Sequence, residues 1–168
     1  ESNVLTGEIL LNLDTEEDDE IDIGCAGGID VTARRITDQG LICIQCKRYT
    51  STLYESTISS ELAKVAINTF LENSTIKEHF FITTGDVSKK LRSAERESTR
   101  SKLINNALDS LKMDDFKSLL KKCKNEKIDP NKIVSDYIKN LEKIIIWSVN
   151  DFDLELGKVW SKISDTLE

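Results

Sequence analysis

Gln45 and Lys47 stand two residues apart in the mostly apolar segment Leu41–Arg48. On a β-strand, residues two apart project to the same face, so the amide of Gln45 and the ammonium of Lys47 are expected side by side. Asp30 lies before this segment, across a predicted hairpin that would bring its carboxylate to the same edge of the sheet. A carboxylate, an amide oxygen and a lysine that converge are typical of a site for a divalent metal ion and a phosphate.

The elements that must position these residues are predicted to form an α/β fold, a sheet with helices on both faces. Ile29–Ile36 and Leu41–Arg48 are predicted as antiparallel strands, joined by a tight connection at Thr37–Gly40. Further strands are predicted at 21–23, 79–84 and 142–149. Helices are predicted at 4–13, 57–71 and 88–103, and the helical pattern continues through 108–120. Another helix is predicted to begin at Asp129-Pro130, and the last helix is predicted to be capped by Asn150 or Asp151.

The helix predicted over about 57–71 has apolar residues that recur at helical spacing. Ser56 is the expected N-cap. The side chains expected to be buried are Ile58, Leu62, Val65, Ala66 and Phe70.

Three segments, in this order, resemble the PD-(D/E)XK nuclease superfamily and specifically its Mrr-like restriction endonuclease branch. They are GGIDVTARR at 27–35, LICIQCKRYTS at 41–51 and HFFITTGDVSKKLRSA at 79–94. In that branch the third motif is often Gln-x-Lys, and here a spacer of fourteen residues separates Asp30 from Gln45. The resemblance covers about residues 5–100. It implies a restriction-endonuclease-like fold, with a mixed central sheet flanked by helices, and metal-dependent hydrolysis of phosphodiester bonds.

The same resemblance implies roles for individual residues, with Asp30, Gln45 and Lys47 as the catalytic set. Asp30 and the amide oxygen of Gln45 would bind Mg²⁺, for which Mn²⁺ would substitute, with the backbone carbonyl of Cys46 as a further ligand. Lys47 would orient the attacking water and stabilise charge on the scissile phosphate. Glu8 is the best-placed helix glutamate to complete the metal shell, and a solvent-facing helix residue is an equally good reading of it.

The distribution of charge leaves room for a nucleic-acid partner, although the net charge is −7. Residues 1–24 carry a net charge of −9, whereas residues 25–102 carry +3. A positive surface on the middle segment is therefore compatible with the acidic total. The residues predicted to contact nucleic acid are Arg48, Tyr49, Arg92, Arg96 and Arg100, the last three as one stripe of the helix predicted over 88–103. A solvated helix face is the alternative reading of that stripe.

The four cysteines favour a reduced protein rather than a zinc site. Cys43 and Cys46 form a Cys-x-x-Cys, but residues three apart on a strand point to opposite faces, so their sulfurs should diverge. The only histidine, His79, is distant in sequence. Reduced thiols indicate an intracellular protein, cytoplasmic or nuclear, and no apolar run approaches the roughly 20 residues that span a bilayer.

Together these patterns predict a single nuclease-like domain over 1–168, with a core at about 5–100 and a helical extension with one further strand at 101–168. We expect a magnesium-dependent endonuclease that acts on double-stranded DNA, forms a homodimer, and is the effector part of a larger protein, fused to or associated with a sensor or recognition module. The chain starts at Glu1 rather than Met, which agrees with an excised piece.

Two alternatives stay open. One is a catalytically inactive nuclease-like domain that serves as a nucleic-acid- or protein-binding module. The other is a partner-binding domain of a toxin or immunity complex. The enzyme reading requires the side chains of Asp30, Gln45 and Lys47 to meet in one cleft, and a Lys47 engaged by an unrelated acid would count against it.

Overall fold

The computed structural model describes residues 31–34, 38, 40–48, 52–93 and 96–167. Within these residues the chain forms four strands and five α-helices. The strands are β1 (Val31–Arg34), β2 (Leu41–Lys47), β3 (Ile76–Thr83) and β4 (Lys143–Ser148). The α-helices are α1 (Glu55–Leu71), α2 (Glu97–Ser110), α3 (Lys117–Asn125), α4 (Pro130–Asn140) and α5 (Val149–Leu167).

The described strands form one mixed sheet in the order β1-β2-β3-β4. β1 pairs with β2 antiparallel, as the hairpin pattern predicts, whereas β2, β3 and β4 run parallel to one another. Parallel neighbours need a crossover connection, and α1 supplies it between β2 and β3. The extension beyond residue 100 contributes β4 to this sheet. The predicted α/β class is confirmed.

Alternate residues of the parallel strands face α1, α2 and α4. From β2 and β3 they include Cys43, Gln45, His79 and Phe81, and all four are buried. The opposite face carries a smaller apolar cluster around Phe80. There the ring of Trp147 lies 6.2 Å from that of Phe152 on α5, so helices cover both faces of the sheet. This alternation determines which side chains of β2 can reach α1.

Helix α1 buries Ile58, Leu62, Val65 and Ala66, as the helical period predicts. The prediction for Phe70 is wrong, since this ring is 51% exposed. Thr69 occupies the buried position instead, because its hydroxyl donates to the carbonyl of Val65 at 2.8 Å and so needs no water. Tyr54 is the N-cap residue, and Ser56 lies inside the helix, so the predicted cap is wrong by two residues.

The helix predicted over 88–103 is wrong in its first half. The Leu53 amide donates to the Asp86 carbonyl at 2.7 Å, and Leu53 bridges Val87, so the chain is still extended there. A short 3-10 helix, Leu91–Ser93, follows, and α2 begins only at Glu97. The pairing with Leu53, more than 30 residues away in sequence, thus ends where the predicted helix was expected to begin, and the continuous α-helix starts nine residues later.

The later elements agree with prediction in position and differ in one cap. The Asp129 side chain accepts from the Asn131 amide at 3.0 Å and caps α4, with Pro130 in the first turn. Helix α5 begins at Val149, where the Ser148 hydroxyl accepts from the Asp151 amide and the Asp151 carboxylate accepts from the Ser148 amide. Ser148 is therefore the capping residue, rather than Asn150 or Asp151.

The elements predicted at 4–13 and 21–23 lie outside the described residues. No helix in the described ranges combines the length and apolar character that crossing a bilayer requires.

Candidate active site

Gln45 and Lys47 project from β2 toward one carboxylate on α1, that of Glu61. The Gln45 amide nitrogen donates to Glu61 Oε2 at 3.4 Å, and Lys47 Nζ lies 3.2 Å from the same oxygen. Gln45 is fully buried, whereas the Lys47 side chain is 30% exposed. The buried amide and the half-exposed ammonium therefore stand together at the sheet–helix junction, as their two-residue spacing predicts.

Glu61 belongs to this cluster and was not singled out from the sequence. It follows the buried Ile58 by three residues and precedes the buried Val65 by four, so the helical period puts it on the face that packs against the sheet. Its side chain is only 13% exposed. An acid at a buried position of an otherwise apolar helix face was the signal available for it.

The described part of the cluster carries net positive charge. Lys64 Nζ lies 3.4 Å from Glu61 Oε1, so one carboxylate meets two ammonium groups. Burial raises the pKa of Glu61, but Lys47 and Lys64, with hydrogen bonds from Lys47 and Gln45, outweigh it and lower the pKa below its usual value. Glu61 is thus ionised at neutral pH, and the surplus positive charge suits an anion such as phosphate.

A second row of polar groups lies beneath Gln45. His79 Nε2 is 2.7 Å from Gln45 Oε1, and His79 Nδ1 is 3.0 Å from the Tyr137 hydroxyl on α4. The imidazole stacks on Phe81 with 4.3 Å between ring centroids, and Cys43 Sγ lies 3.5 Å from His79 Nε2. Both ends of the Gln45 amide and both ring nitrogens of His79 therefore have hydrogen-bond partners.

Burial keeps this second row neutral. It lowers the pKa of His79 to about 3, because the imidazolium would lose its hydration inside the core. Burial likewise raises the pKa of Tyr137 well above its usual value. At neutral pH the row thus consists of an uncharged imidazole, a phenol and an amide.

The described residues alone give an incomplete fit to a divalent metal ion. Among them, no group of three or more His, Cys, Asp or Glu side chains could hold a metal. Glu61 supplies a carboxylate that already meets two ammonium groups, and Gln45 turns its amide nitrogen, not its oxygen, toward Glu61. Magnesium is usually held by one or two carboxylates with waters and phosphate oxygens. A metal at this cluster therefore needs a carboxylate from outside the described residues.

The structure can be compared with only one of the other predicted metal ligands, Cys46. Asp30, Glu8 and Tyr49 lie outside the described residues. Cys46 lies in β2 between Gln45 and Lys47, and its exposed side chain diverges from the buried Cys43, as predicted.

The arginines predicted to contact nucleic acid do not share a helix. Arg92 lies in the 3-10 helix and pairs with Asp151 at 2.7 Å, while Arg96 is exposed at the N-cap of α2. Arg100 Nη1 donates to carbonyl groups at the end of α4, at 3.3 Å to Ile138 and 3.2 Å to Lys139. The predicted single stripe is wrong, because the chain is not continuously helical over 88–103.

Arg92 and Arg96 line a cavity of about 430 Å³ beside β4 and α5, together with Trp147, Asp151 and Leu154. Because β3 lies between β2 and β4 in the sheet, this cavity is separate from the Glu61 cluster. Arg48, exposed directly after β2, is the predicted contact nearest in sequence to Lys47.

One comparison with known proteins gives a match. A family described as restriction endonuclease, of the Mrr catalytic type, matches residues 11–129, which include β1 to β3 and the whole Gln45–Lys47–Glu61 cluster. No curated protein and no solved structure matches the chain.

Proposed function

The chain belongs to the Mrr-type restriction endonuclease family, and from this premise we propose that it is a magnesium-dependent endonuclease domain that hydrolyses phosphodiester bonds of DNA. The observation that most supports this proposal is the convergence of Gln45 and Lys47 on Glu61 at one end of β2. Buried polar groups that meet a half-exposed ammonium are arranged for recognition of an anion, not for a core.

In this proposal Lys47 acts on the scissile phosphate. Its ammonium is held 3.2 Å from Glu61 Oε2, so its position is determined before substrate arrives. A preorganised positive charge stabilises the negative charge that develops on phosphate oxygens as water attacks phosphorus. The lowered pKa of Glu61 makes this carboxylate a weak base at neutral pH, so we assign it to positioning Lys47 and not to proton abstraction.

The metal ligands in the proposal are the Asp30 carboxylate, the Gln45 amide oxygen and the Cys46 carbonyl, with Glu8 as a further carboxylate. When bound, Mg²⁺ lowers the pKa of a coordinated water and screens phosphate charge. Asp30 is the key addition, because it is the acidic residue of the segment GGIDVTARR, which resembles a motif of the family.

We also propose double-stranded DNA as substrate, a homodimer that cuts both strands, and an effector role beside a sensor or recognition module. The family supports DNA as the substrate; the double-stranded form, the homodimer and the effector role are our extensions of that proposal. Arg48 and Arg96 are exposed and remain the proposed contacts to the phosphate backbone. Arg92 and Arg100 already make hydrogen bonds within the chain.

One observation favours the alternative, a catalytically inactive domain that binds nucleic acid or protein. Lys47 is engaged by an acid, and Gln45 directs a donor toward the same acid. An inactive domain could keep this arrangement permanently, whereas an enzyme must present the Lys47 ammonium to phosphate.

Cleavage of supercoiled plasmid separates the two functions. The wild-type chain is expected to nick DNA with Mg²⁺ or Mn²⁺ and to lose the activity with a chelator. Lys47→Ala and Asp30→Ala should abolish cleavage, while Lys112→Ala, which removes an exposed lysine paired with Asp109, should cleave like wild type. DNA retention without any metal-dependent cleavage by the wild type would contradict the enzyme and support the binding module.

A further inference from the structure

The two carboxylate oxygens of Glu61 each contact a different lysine. Lys47 Nζ lies 3.2 Å from Oε2, which also accepts a hydrogen bond from the Gln45 amide at 3.4 Å. Lys64 Nζ lies 3.4 Å from the other oxygen, Oε1. One carboxylate needs a single counter-charge, and Lys47 already supplies it. Lys64 therefore brings an ammonium to the site that the charge of Glu61 does not require.

The Lys64 side chain is held in place by the core. Its Nζ stands over the ring of Phe116, 5.9 Å from the centroid, in a cation–π contact. Phe116 is fully buried, and so are Ala63 and Val65, the two neighbours of Lys64 on α1. The Lys64 side chain nevertheless keeps contact with solvent, since it is 27% exposed. The ammonium is thus fixed in position and still accessible to a ligand.

A lysine held in this way is suited to bind phosphate. A long side chain on a solvated face loses rotamer freedom when it binds, whereas Lys64 is already ordered by Glu61 and Phe116. An ammonium carries three donors and binds phosphate as a point charge. Lys64 can therefore direct one N–H to Glu61 and another to a phosphate oxygen.

Lys47 and Lys64 are placed to meet different phosphates of one strand. They approach opposite oxygens of Glu61, so their ammonium groups do not share one contact point. Each strand of DNA carries a phosphate about every 3.4 Å along the helix axis. A strand that places one phosphate at Lys47 consequently brings a neighbouring phosphate toward Lys64.

We propose that Lys64 binds a backbone phosphate beside the scissile one, so that the site favours a polynucleotide strand over an isolated phosphodiester. This inference rests on the proposed function, since it assigns a further substrate contact to the same site. It involves no metal ligand, and Lys47 keeps its role at the scissile phosphate. A contact to a phosphate that does not react contributes equally to binding in the ground state and in the transition state. Lys64 therefore affects affinity for the strand rather than the chemical step.

The salt dependence of DNA binding tests this contact without cleavage. In chelator, each phosphate that a lysine neutralises adds about 0.9 to the slope of log affinity against log salt. Lys64→Gln should lower this slope by about one, so between about 50 and 200 mM salt it should lose about 3-fold less affinity than wild type. The variant should fold, because Lys47 and Gln45 still satisfy Glu61. A slope equal to that of wild type would overturn the inference.

Two further variants serve as controls for this measurement. Lys64→Arg keeps the positive charge and should keep the slope. Lys132→Gln removes an exposed lysine of α4 that pairs with Asp136, and it should bind DNA like wild type. An equal fall of the slope in Lys132→Gln and Lys64→Gln would overturn the assignment of the contact to Lys64.

Steady-state cleavage of DNA gives a readout that a merely structural residue would not give. Lys64→Gln should raise KM by about 10-fold, as expected for the loss of a charged hydrogen bond to substrate. Its kcat should stay within about two-fold of wild type, because Lys47 remains paired with Glu61. A lower kcat with an unchanged KM would overturn the inference, since Lys64 would then act through Lys47.

The two proposals fail in different ways. A wild-type chain that neither retains nor cleaves DNA removes the proposed function and the inference with it. A wild-type chain that binds and cleaves DNA, with the same salt slope in Lys64→Gln, removes the inference alone.

Discussion

Lys47 on β2 and Glu61 on α1 form an ion pair with 3.2 Å between Nζ and Oε2, across the junction between sheet and helix. The pair depends on the packing of α1, because Leu62, the residue next to Glu61, is fully buried in the core. The position of the Lys47 ammonium is therefore set by the same contacts that hold α1 on the sheet.

Glu61→Gln is expected to impair catalysis more than stability. The neutral amide keeps the shape of the side chain but leaves Lys47 and Lys64 without their counter-charge, so Lys47 is no longer held toward the cleft. We expect DNA cleavage to slow by about 10-fold or more and the free energy of unfolding to fall by about 1–2 kcal/mol. Cleavage kinetics and urea unfolding measure the two effects.

Glu72→Gln is the matched control, since Glu72 is an exposed acid directly after α1. This variant should leave the rate of DNA cleavage and the free energy of unfolding close to those of wild type. Wild-type cleavage by Glu61→Gln would contradict the positioning role assigned to Glu61.

Stability should fall as pH falls from 7 to 5, because burial disfavours the protonated form of His79 in the folded chain. Its pKa is about 3 when folded and near 6.5 when unfolded, so between these values the unfolded state binds more protons and is favoured by acid. This contribution is complete above pH 6.5 and is lost progressively below it. From pH 7 to 5 the free energy of unfolding should drop by about 2 kcal/mol in chelator.

Urea unfolding at several pH values measures this dependence. His79 is the only histidine, and most carboxylates titrate at lower pH, so His79→Gln should make the curve nearly flat between pH 7 and 5. An equally steep curve in His79→Gln would show that another group causes it.

Arg100→Met is expected to destabilise the fold. The guanidinium donates to carbonyl groups of Ile138 and Lys139 at the end of α4, and charged donors satisfy such groups well. We expect a loss of about 1–2 kcal/mol by urea unfolding. Arg96→Met, at an exposed residue, should unfold within about 0.5 kcal/mol of wild type and weaken DNA binding in a salt-dependent manner. A stable Arg100→Met together with a destabilised Arg96→Met would contradict a structural role for Arg100 and a DNA-binding role for Arg96.

The parts of the fold that follow a local period could be predicted from the sequence. Helix α1 is an example, because its buried residues recur every three to four positions, and β2 is another, because it is a mostly apolar run that follows a turn signal. The same period could have indicated Glu61, which lies between Ile58 and Val65 on the buried face.

What the sequence could not predict depends on contacts between distant segments. Gln45 and His79 are 34 residues apart, and His79 and Tyr137 are 58 apart, so their hydrogen bonds follow from strand register and helix packing. The pairing of Leu53 with Asp86–Val87, just before the range 88–103, is a contact of the same kind. Local propensity carries no information about these pairings.

The most direct test of the central claim is a crystal of the wild-type chain soaked in Mn²⁺ and examined by anomalous scattering. The proposed function predicts a peak within metal-bonding distance of an Asp30 carboxylate oxygen and of the Gln45 amide oxygen, beside the Lys47 ammonium. An occupied Mn²⁺ site elsewhere, or an Asp30 carboxylate directed away from Gln45, would contradict it.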